Sequence, residues 1–476
     1  MKKNKITIKL VAVALSCMVA FSGCRKYLEV YPKSSVSEDQ IFLSEIGFQQ
    51  ALTGVYSQLA AQRLYGDNLT MGFVSALAQN YNPQNSNSYF YATSAYNYTS
   101  DEVLGYASST WNTAYNAIAA ANNIISHTET NRSVLTDENY NLIRGEALAL
   151  RALLHFDVLR LFAPSMTVGA NTKAIPYKTS VDQYSKIPST VSQVIDSALY
   201  DLQEAEVLLK KSDAILSGTI NRQIKMNYYA VKALQARVYL YKGDKENAYA
   251  AAKIVMEADK FPFVQSNDIN TIYGFNYLFK SELVFGLRVR DIQDWAVDLY
   301  FGSYRSDRGV PNRSLAEYQT LYEITGGGDT DYRYSYLLDN PDDAPATVYV
   351  TTKYWQTWTQ SSDSSRLDQL VPVIRMTEMC YILAETAPTL TESLTWLNKV
   401  RGGRNLAHLS TNTLTEAYIR QELTKEYQKE FYAEGQLFFY YKRLNNSNIQ
   451  FLSTTFDTSK YIIPIPDDEL EANPNY

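Results

Sequence analysis

"KMNYYAVKALQARVYLYKGDKENAYAAAKIVMEA", residues 225–258, sets the architecture. Ile224, Tyr228, Val231, Leu234, Val238 and Tyr241 recur at three- and four-residue spacing, so they share one face of a helix. Gly243 takes easily to the left-handed backbone that ends a helix, and Asp244 continues the turn. A second helix then carries Ala248, Ala251, Ala252 and Val255 inward. Helix, turn and helix in a unit of about 34 residues, with small residues where the helices meet, is the tetratricopeptide pattern. Ala236, Tyr239 and Ala248 occupy its small, aromatic and alanine positions. Lys232 stands where that repeat usually has Trp, and no Pro closes the unit at 260. One such pair cannot bury its own apolar face, so several must stack. Similar pairs begin near Ile143 and Ile374.

The flanking segments agree. "FQQALTGVYSQLAAQ" (48–62) puts Phe48, Leu52, Val55, Tyr56 and Leu59 on one face. "WNTAYNAIAAANNIISH" (111–127) does the same with Trp111, Tyr115, Ile118, Ala119, Asn122 and Ile125, which makes Trp111 a core anchor. Residues 141–164 are apolar almost all round, as a central buried helix is, and His155 and Asp157 read there as packing residues. Thr190 and Gln193 have the spacing of a capping box. Two long loop-rich stretches, 64–110 and 261–373, interrupt the helices; the second holds strand-like runs such as "LVFGLRV" and "ATVYVTTKYW". Loops of this length in a compact chain are functional or disordered, and their aromatic content argues against disorder. The fold class is therefore mainly α: tetratricopeptide-like helix pairs as a scaffold, with a loop-rich lobe of short strands.

Residues 1–23 read as a lipoprotein signal peptide. Lys2, Lys3, Lys5 and Lys9 precede the apolar run Leu10–Phe21, and Ser22 and Gly23 stand before Cys24. The run is too short to span a bilayer, which takes about 20 residues. Cleavage leaves Cys24 as the lipid-attachment residue, although Phe21 stands where that motif usually has Leu. Residues 24–476 then form a single domain with an N-terminal part (about 24–260) and a C-terminal part (about 261–476), helix pairs running through both. Cys380 is the other cysteine kept, in an apolar helical setting that reads as a buried hydrophobe. The formal charge of −6 falls by a further four once the signal lysines leave, which speaks against nucleic acid as a partner.

Composition narrows the chemistry. Three His residues leave little for a His-based metal site or triad. Glu378 and Glu385, seven apart, share a helix face, and they read as structural partners of Arg375 or a neighbouring helix end rather than as the carboxylate pair of a glycosidase. "GGGDTD" lacks the lysine of a phosphate loop. Asp329 and Asp331 are candidates for a structural calcium, and an ordinary turn explains them better; no other cofactor is expected.

Tyrosine is the outlier, 39 against 18 Phe and 5 Trp. A tyrosine ring offers an apolar face and a polar tip, and the excess reads as rings kept at wet surfaces. Such faces stack on sugar rings, while Asn, Gln and Asp bond hydroxyls; peptides use the same surface. Stacking at about 0.5–1.5 kcal/mol per ring leaves much of the roughly 8 kcal/mol of a micromolar complex to polar neighbours such as Asn80, Asn82, Asn85, Asn87 and Asn97. The candidate ligand contacts are Tyr81, Asn82, Tyr89, Tyr91, Tyr96 and Tyr98 in the first loop, and Tyr304 and Trp355 in the second.

Several segments, in order along the chain, resemble the SusD/RagB family of surface nutrient-binding lipoproteins: "CRKYLEVYPKSSVSEDQIF", "WNTAYNAIAAANNII", "RGEALALRALLHFDVLRLF", "ALQARVYLYKGD", "VPVIRMTEMCYILAET", "EFYAEGQLFFYYKRLN" and "YIIPIPDDELEANPNY". Gln436 departs from the Arg common after Glu434–Gly435, and the chain ends sooner than many family tails. The resemblance implies four tetratricopeptide-like units, a loop-rich ligand lobe, no catalysis, and a surface-exposed place on the outer membrane. It also implies a partner, a TonB-dependent SusC-type barrel transporter, on which the protein sits as a lid and to which it hands an oligosaccharide. The alternatives are an oligopeptide ligand on the same architecture, a surface hydrolase, and a structural or adhesive lipoprotein, for which the loop aromatics would be packed rather than exposed.

Overall fold

A computed structural model describes residues 38–476 apart from 183, 219–221, 272–273, 291, 297–298, 301–308, 342–343, 356–368 and 413. The signal segment and Cys24 lie outside the described residues. Eight helices form the scaffold: α1 Glu45–Leu59, α2 Asp101–Thr130, α3 Asp137–Phe162, α4 Val191–Ser212, α5 Tyr228–Lys242, α6 Lys245–Glu257, α7 Met376–Thr386 and α8 Leu390–Gly403. Each packs on the helix before it, so α1/α2, α3/α4, α5/α6 and α7/α8 make a continuous stack of pairs. A further helix, α9 Glu416–Glu430, packs on α7 and α8, and α10 Gln436–Arg443 follows.

Local chemistry places these elements. Ser44, Ser100, Thr136, Asn227, Asp244, Thr389 and Thr415 each accept a backbone N–H of the first turn of the helix they precede. Thr190 and Gln193 complete the capping box of α4. Gly243 ends α5 with φ +88°. At Gly435 (φ +75°) a Cβ would lie 2.1 Å from the Leu69 carbonyl oxygen, so this glycine lets the start of α10 rest on the 69–70 backbone.

Forked arginine–carboxylate pairs fix how the helices meet. Arg151 of α3 holds Asp201 of α4 with both contacts at 2.7 Å. Arg237 of α5 grips Glu378 of α7 at 2.6 Å, and Arg443 of α10 grips Glu385 at 2.7 and 2.6 Å. The two glutamates that share a face are structural, as read, but their partners are Arg237 and Arg443 rather than Arg375. His155 is buried and stacked on Tyr177; its Nδ1 lies 2.9 Å from the Arg151 carbonyl oxygen and its Nε2 accepts from the Lys178 N–H at 3.0 Å. Burial pushes its pKa down to about 3. Cys380 is buried, and desolvation raises its thiol to about 12, as suits a hydrophobe.

The chain leaves the stack twice, between α1 and α2 and between α6 and α7, and the two excursions build the lobe. Strand β1 Leu283–Arg288 pairs antiparallel with β5 Leu370–Arg375, Leu283 opposite Arg375. β4 Val348–Thr351 lies between β2 Arg313–Ser314 and β3 Leu338–Asp339. Two sequence readings change here. The helix expected from Ile374 starts at Met376, because β5 is buried along its whole length and so has no polar alternation to mark it as a strand. The loop expected over 64–110 is shorter, because α2 begins at Asp101, capped by Ser100.

The lobe has its own core, and tyrosines make much of it. Tyr81, Tyr300, Tyr318, Tyr322, Tyr354 and Tyr432 are all buried. Their hydroxyls are satisfied inside: Tyr81 donates to the Met71 carbonyl, Tyr300 to Asp67 Oδ1 at 2.6 Å, Tyr318 to Tyr432 Oη at 2.8 Å, Tyr432 to the Asn80 carbonyl and Tyr354 to the Ala433 carbonyl at 2.9 Å. The tyrosine excess is thus in large part a hydrogen-bonded interior, a correction to its reading as wet surface.

A buried charge cluster joins lobe to scaffold. Glu430 of α9 accepts from Arg333 (2.9 Å), Arg375 (2.6 Å) and Arg404 (2.7 Å); Glu434 accepts from Arg375 (2.9 Å) and Lys353 (2.6 Å); Glu282 accepts from Arg404 at 2.6 and 2.5 Å. Burial opposes the charge on Glu430, but the surrounding guanidiniums win and hold its carboxyl well below the ordinary range. Asp331 is committed to Arg333, accepting at 2.7 Å, and caps the helix that starts at Tyr332. Among the described residues no group of three His, Cys, Asp or Glu is placed to hold a metal ion. Of the pair considered for calcium, Asp331 thus already faces a cation of the chain itself, the Arg333 guanidinium.

Candidate functional site

The first excursion turns back at Gln79 (φ +61°) and enters the polar run 82–88. Three connections pin it. The Asn80 side-chain oxygen accepts from the Ala433 N–H at 3.0 Å. The Asn82 N–H donates to the Asn312 carbonyl at 2.9 Å. Arg313, buried at the start of β2, donates from Nε and Nη2 to the Gln79 carbonyl at 3.1 and 2.5 Å and from Nη2 to that of Tyr81 at 3.4 Å. Its guanidinium also pairs with Glu317 and lies 3.8 Å from the Phe451 ring centre. Arg313 therefore clamps the 79–82 and 310–313 segments to each other.

A shallow cleft of about 40 Å³ opens between these segments, with Tyr81, Asn82, Asn85, Tyr89 and the turn Gly309–Asn312 around it. Tyr81 forms the floor, stacked on Phe90 at 5.8 Å between ring centres. Asn82 and Asn85 are exposed and Tyr89 is half-buried, so an apolar floor and edge meet a rim of amides. The cleft is far smaller than the roughly 300–1,000 Å³ of an enclosing pocket. Beneath the floor, Asp67 is buried against Tyr300, and burial lifts its carboxyl to about 7. A roomier hollow of about 740 Å³ beside α9 has no aromatic lining.

Of the sequence candidates, Asn82 and Tyr89 meet at this cleft, and Tyr81 lies beneath them, 1 % exposed, which corrects its reading as an open ligand contact. Tyr91 is 42 % exposed but lies outside its lining. Tyr96 and Tyr98 are buried, which corrects their reading as open platforms: Tyr96 donates to the Leu77 carbonyl at 3.0 Å and packs on Phe456, and Tyr98 donates to the Lys460 carbonyl. Trp355 is half-buried against the lobe core. Tyr304 lies outside the described residues. Sequence reasoning missed the Gly309–Asn312 turn and Arg313; the Gly-Val-Pro-Asn run was the available signal, a turn set directly before a strand.

The chain is thus a stacked-pair helical scaffold of helical-repeat architecture that carries a pinned, amide-rimmed cleft. The comparisons give the family. A family model described as "Starch-binding associating with outer membrane" matches residues 26–240, and one described as "SusD family" matches residues 316–452. The chain belongs to the SusD/RagB family. It is 22 % identical to SusD-like protein P2 of Formosa agariphila, over 100 % of this chain and 98 % of that protein. A SusD superfamily protein from Bacteroides thetaiotaomicron superposes with a TM-score of 0.71 at 22 % identity, covering 91 % of this chain and 98 % of the other. A putative sugar binding protein from Bacteroides vulgatus superposes at 0.69, also 22 % identical, covering 91 % and 97 %.

Proposed function

We propose that this chain is a cell-surface lipoprotein, anchored in the outer membrane through Cys24, that captures an oligosaccharide without chemical change and hands it to a TonB-dependent SusC-type transporter. The observation that carries the ligand reading is the pinned cleft, where the half-buried Tyr89 supplies an apolar face and Asn82 and Asn85 supply amide donors and acceptors beside it, over a floor that the buried Tyr81 supports from within the lobe core. Sugars present the complementary pattern, an apolar ring face edged by hydroxyls. The printed descriptions of the matching family model and of the B. vulgatus structure, starch and sugar binding respectively, support the same class. The carboxylates considered for hydrolysis, Glu378 and Glu385, are committed to arginines, which favours capture over turnover. Among the described residues no helix is long and apolar enough to cross a membrane. In this reading the lipid on Cys24 and the partner hold the protein at the surface.

Titration calorimetry against oligosaccharide and peptide panels tests the reading, with Asn82→Ala/Tyr89→Ala as control. Saturable saccharide binding that the double variant abolishes supports it. Peptide binding alone, or cleavage of the saccharide during the titration, refutes it.

A further inference from the structure

A second hollow, of about 400 Å³, lies where α2, the 176–186 segment and the helix Asp467–Ala472 meet. Trp111 and Tyr115 line it from α2, with the exposed amides Asn112 and Asn116 one turn apart on the same helix. Tyr184 stands among the lining residues, 83 % exposed. Its walls are braced. Tyr115 Oη donates to the Pro176 carbonyl at 2.9 Å, Asn122 Nδ2 to the Lys178 carbonyl at 3.0 Å, Lys186 Nζ to the Tyr177 carbonyl at 2.6 Å, and Asn473 Nδ2 to the Lys186 carbonyl at 3.1 Å.

Trp111 is 2 % exposed, and its indole stands among the residues that line the hollow. Charge in the hollow is balanced: Lys178 pairs with Asp182 at 2.8 Å, and Lys186 and Glu469 both line the space. No lining residue belongs to a strand, so no open backbone edge is offered to a peptide.

We propose that this hollow is a second binding site, for a neutral sugar ring of the captured saccharide. The exposed Asn112 and Asn116 amides bond its hydroxyls, and the exposed Tyr184 ring covers a face. The inference rests on the saccharide reading above but uses none of the loop-cleft residues.

The test is calorimetry of the full chain in detergent with maltohexaose, cellohexaose, laminarihexaose and xylohexaose. Tyr184→Ala/Asn116→Ala removes two exposed side chains, and Asn82→Ala/Tyr89→Ala disables the loop cleft. The expected result is two sites per chain for one of these sugars, the first double variant weakening one site at least tenfold and leaving the other unchanged. One site that ignores Tyr184→Ala/Asn116→Ala and vanishes with Asn82→Ala/Tyr89→Ala overturns the second site alone. Binding lost only with Tyr184→Ala/Asn116→Ala upholds the second site and overturns the loop cleft. Peptide binding in the hollow overturns its saccharide assignment, and no binding of any hexaose overturns both.

Discussion

Arg313→Met removes the clamp and keeps its stem over Phe451. The side chain is 3 % exposed, and the Gln79 carbonyl accepts from it twice, so the substitution strips that oxygen of both donors. Breaking a buried ion pair costs about 3–5 kcal/mol. Glu317 is 27 % exposed and keeps its bonds from the Ser314 N–H and Oγ, which places this case at the low end, about 3 kcal/mol. The loss falls on the joint between two loops rather than on the stack. Hydrogen exchange of the Asn82 amide, which donates across that joint, should therefore quicken by about 100-fold while α3 and α5 amides keep their protection. Saccharide affinity should fall by about 10-fold or more as the loops must be ordered on binding. A folded variant with unchanged Asn82 exchange and affinity within two-fold would refute the clamp.

Glu430→Gln leaves three arginines short of their shared acceptor; it should cost about 3–5 kcal/mol and lower the urea midpoint clearly, whereas Glu129→Gln at an exposed pair should cost under about 1. Acid should act through Glu430 and Glu426, whose folded pKa values are depressed: their contribution is present above the ordinary carboxylate range and is lost as pH falls through the folded values, so chemical denaturation at pH 3 and 5 should differ more for wild type than for Glu430→Gln. Asp67 runs the other way. Its folded value of about 7 lies above the unfolded one, so its contribution fades between about pH 4 and 7, and Asp67→Asn should flatten that decline in denaturant midpoints. Cys24→Ala should release the protein from the detergent phase into the aqueous phase on phase partitioning.

The scaffold was legible because its signals are local. The stripe from Ile224 to Tyr241, the glycine at 243 and the box at Thr190 and Gln193 act within a turn or two of themselves. The start of α2 was missed because "DEVLGYASST" is weakly apolar, and its signal is the cap at Ser100 rather than a stripe. β5 was missed because burial on both faces erases alternation. The tyrosines misled for a different reason. Residue type does not say whether a hydroxyl meets water or a carbonyl: Tyr96 meets the Leu77 carbonyl within its own loop, and Tyr98 and Tyr432 meet carbonyls far along the chain. The cleft was half legible: the amide-rich 82–88 run is a sequence feature, but its partner turn at 309–312 comes from more than two hundred residues away, and only the tertiary fold joins them.

Amide exchange of the chain with and without a bound oligosaccharide tests the central claim most directly. Slowed exchange concentrated at residues 82–89 and 309–312 is the predicted result, with the α9 face unchanged. Protection confined to the scaffold, with none at either loop, would contradict capture at the aromatic cleft.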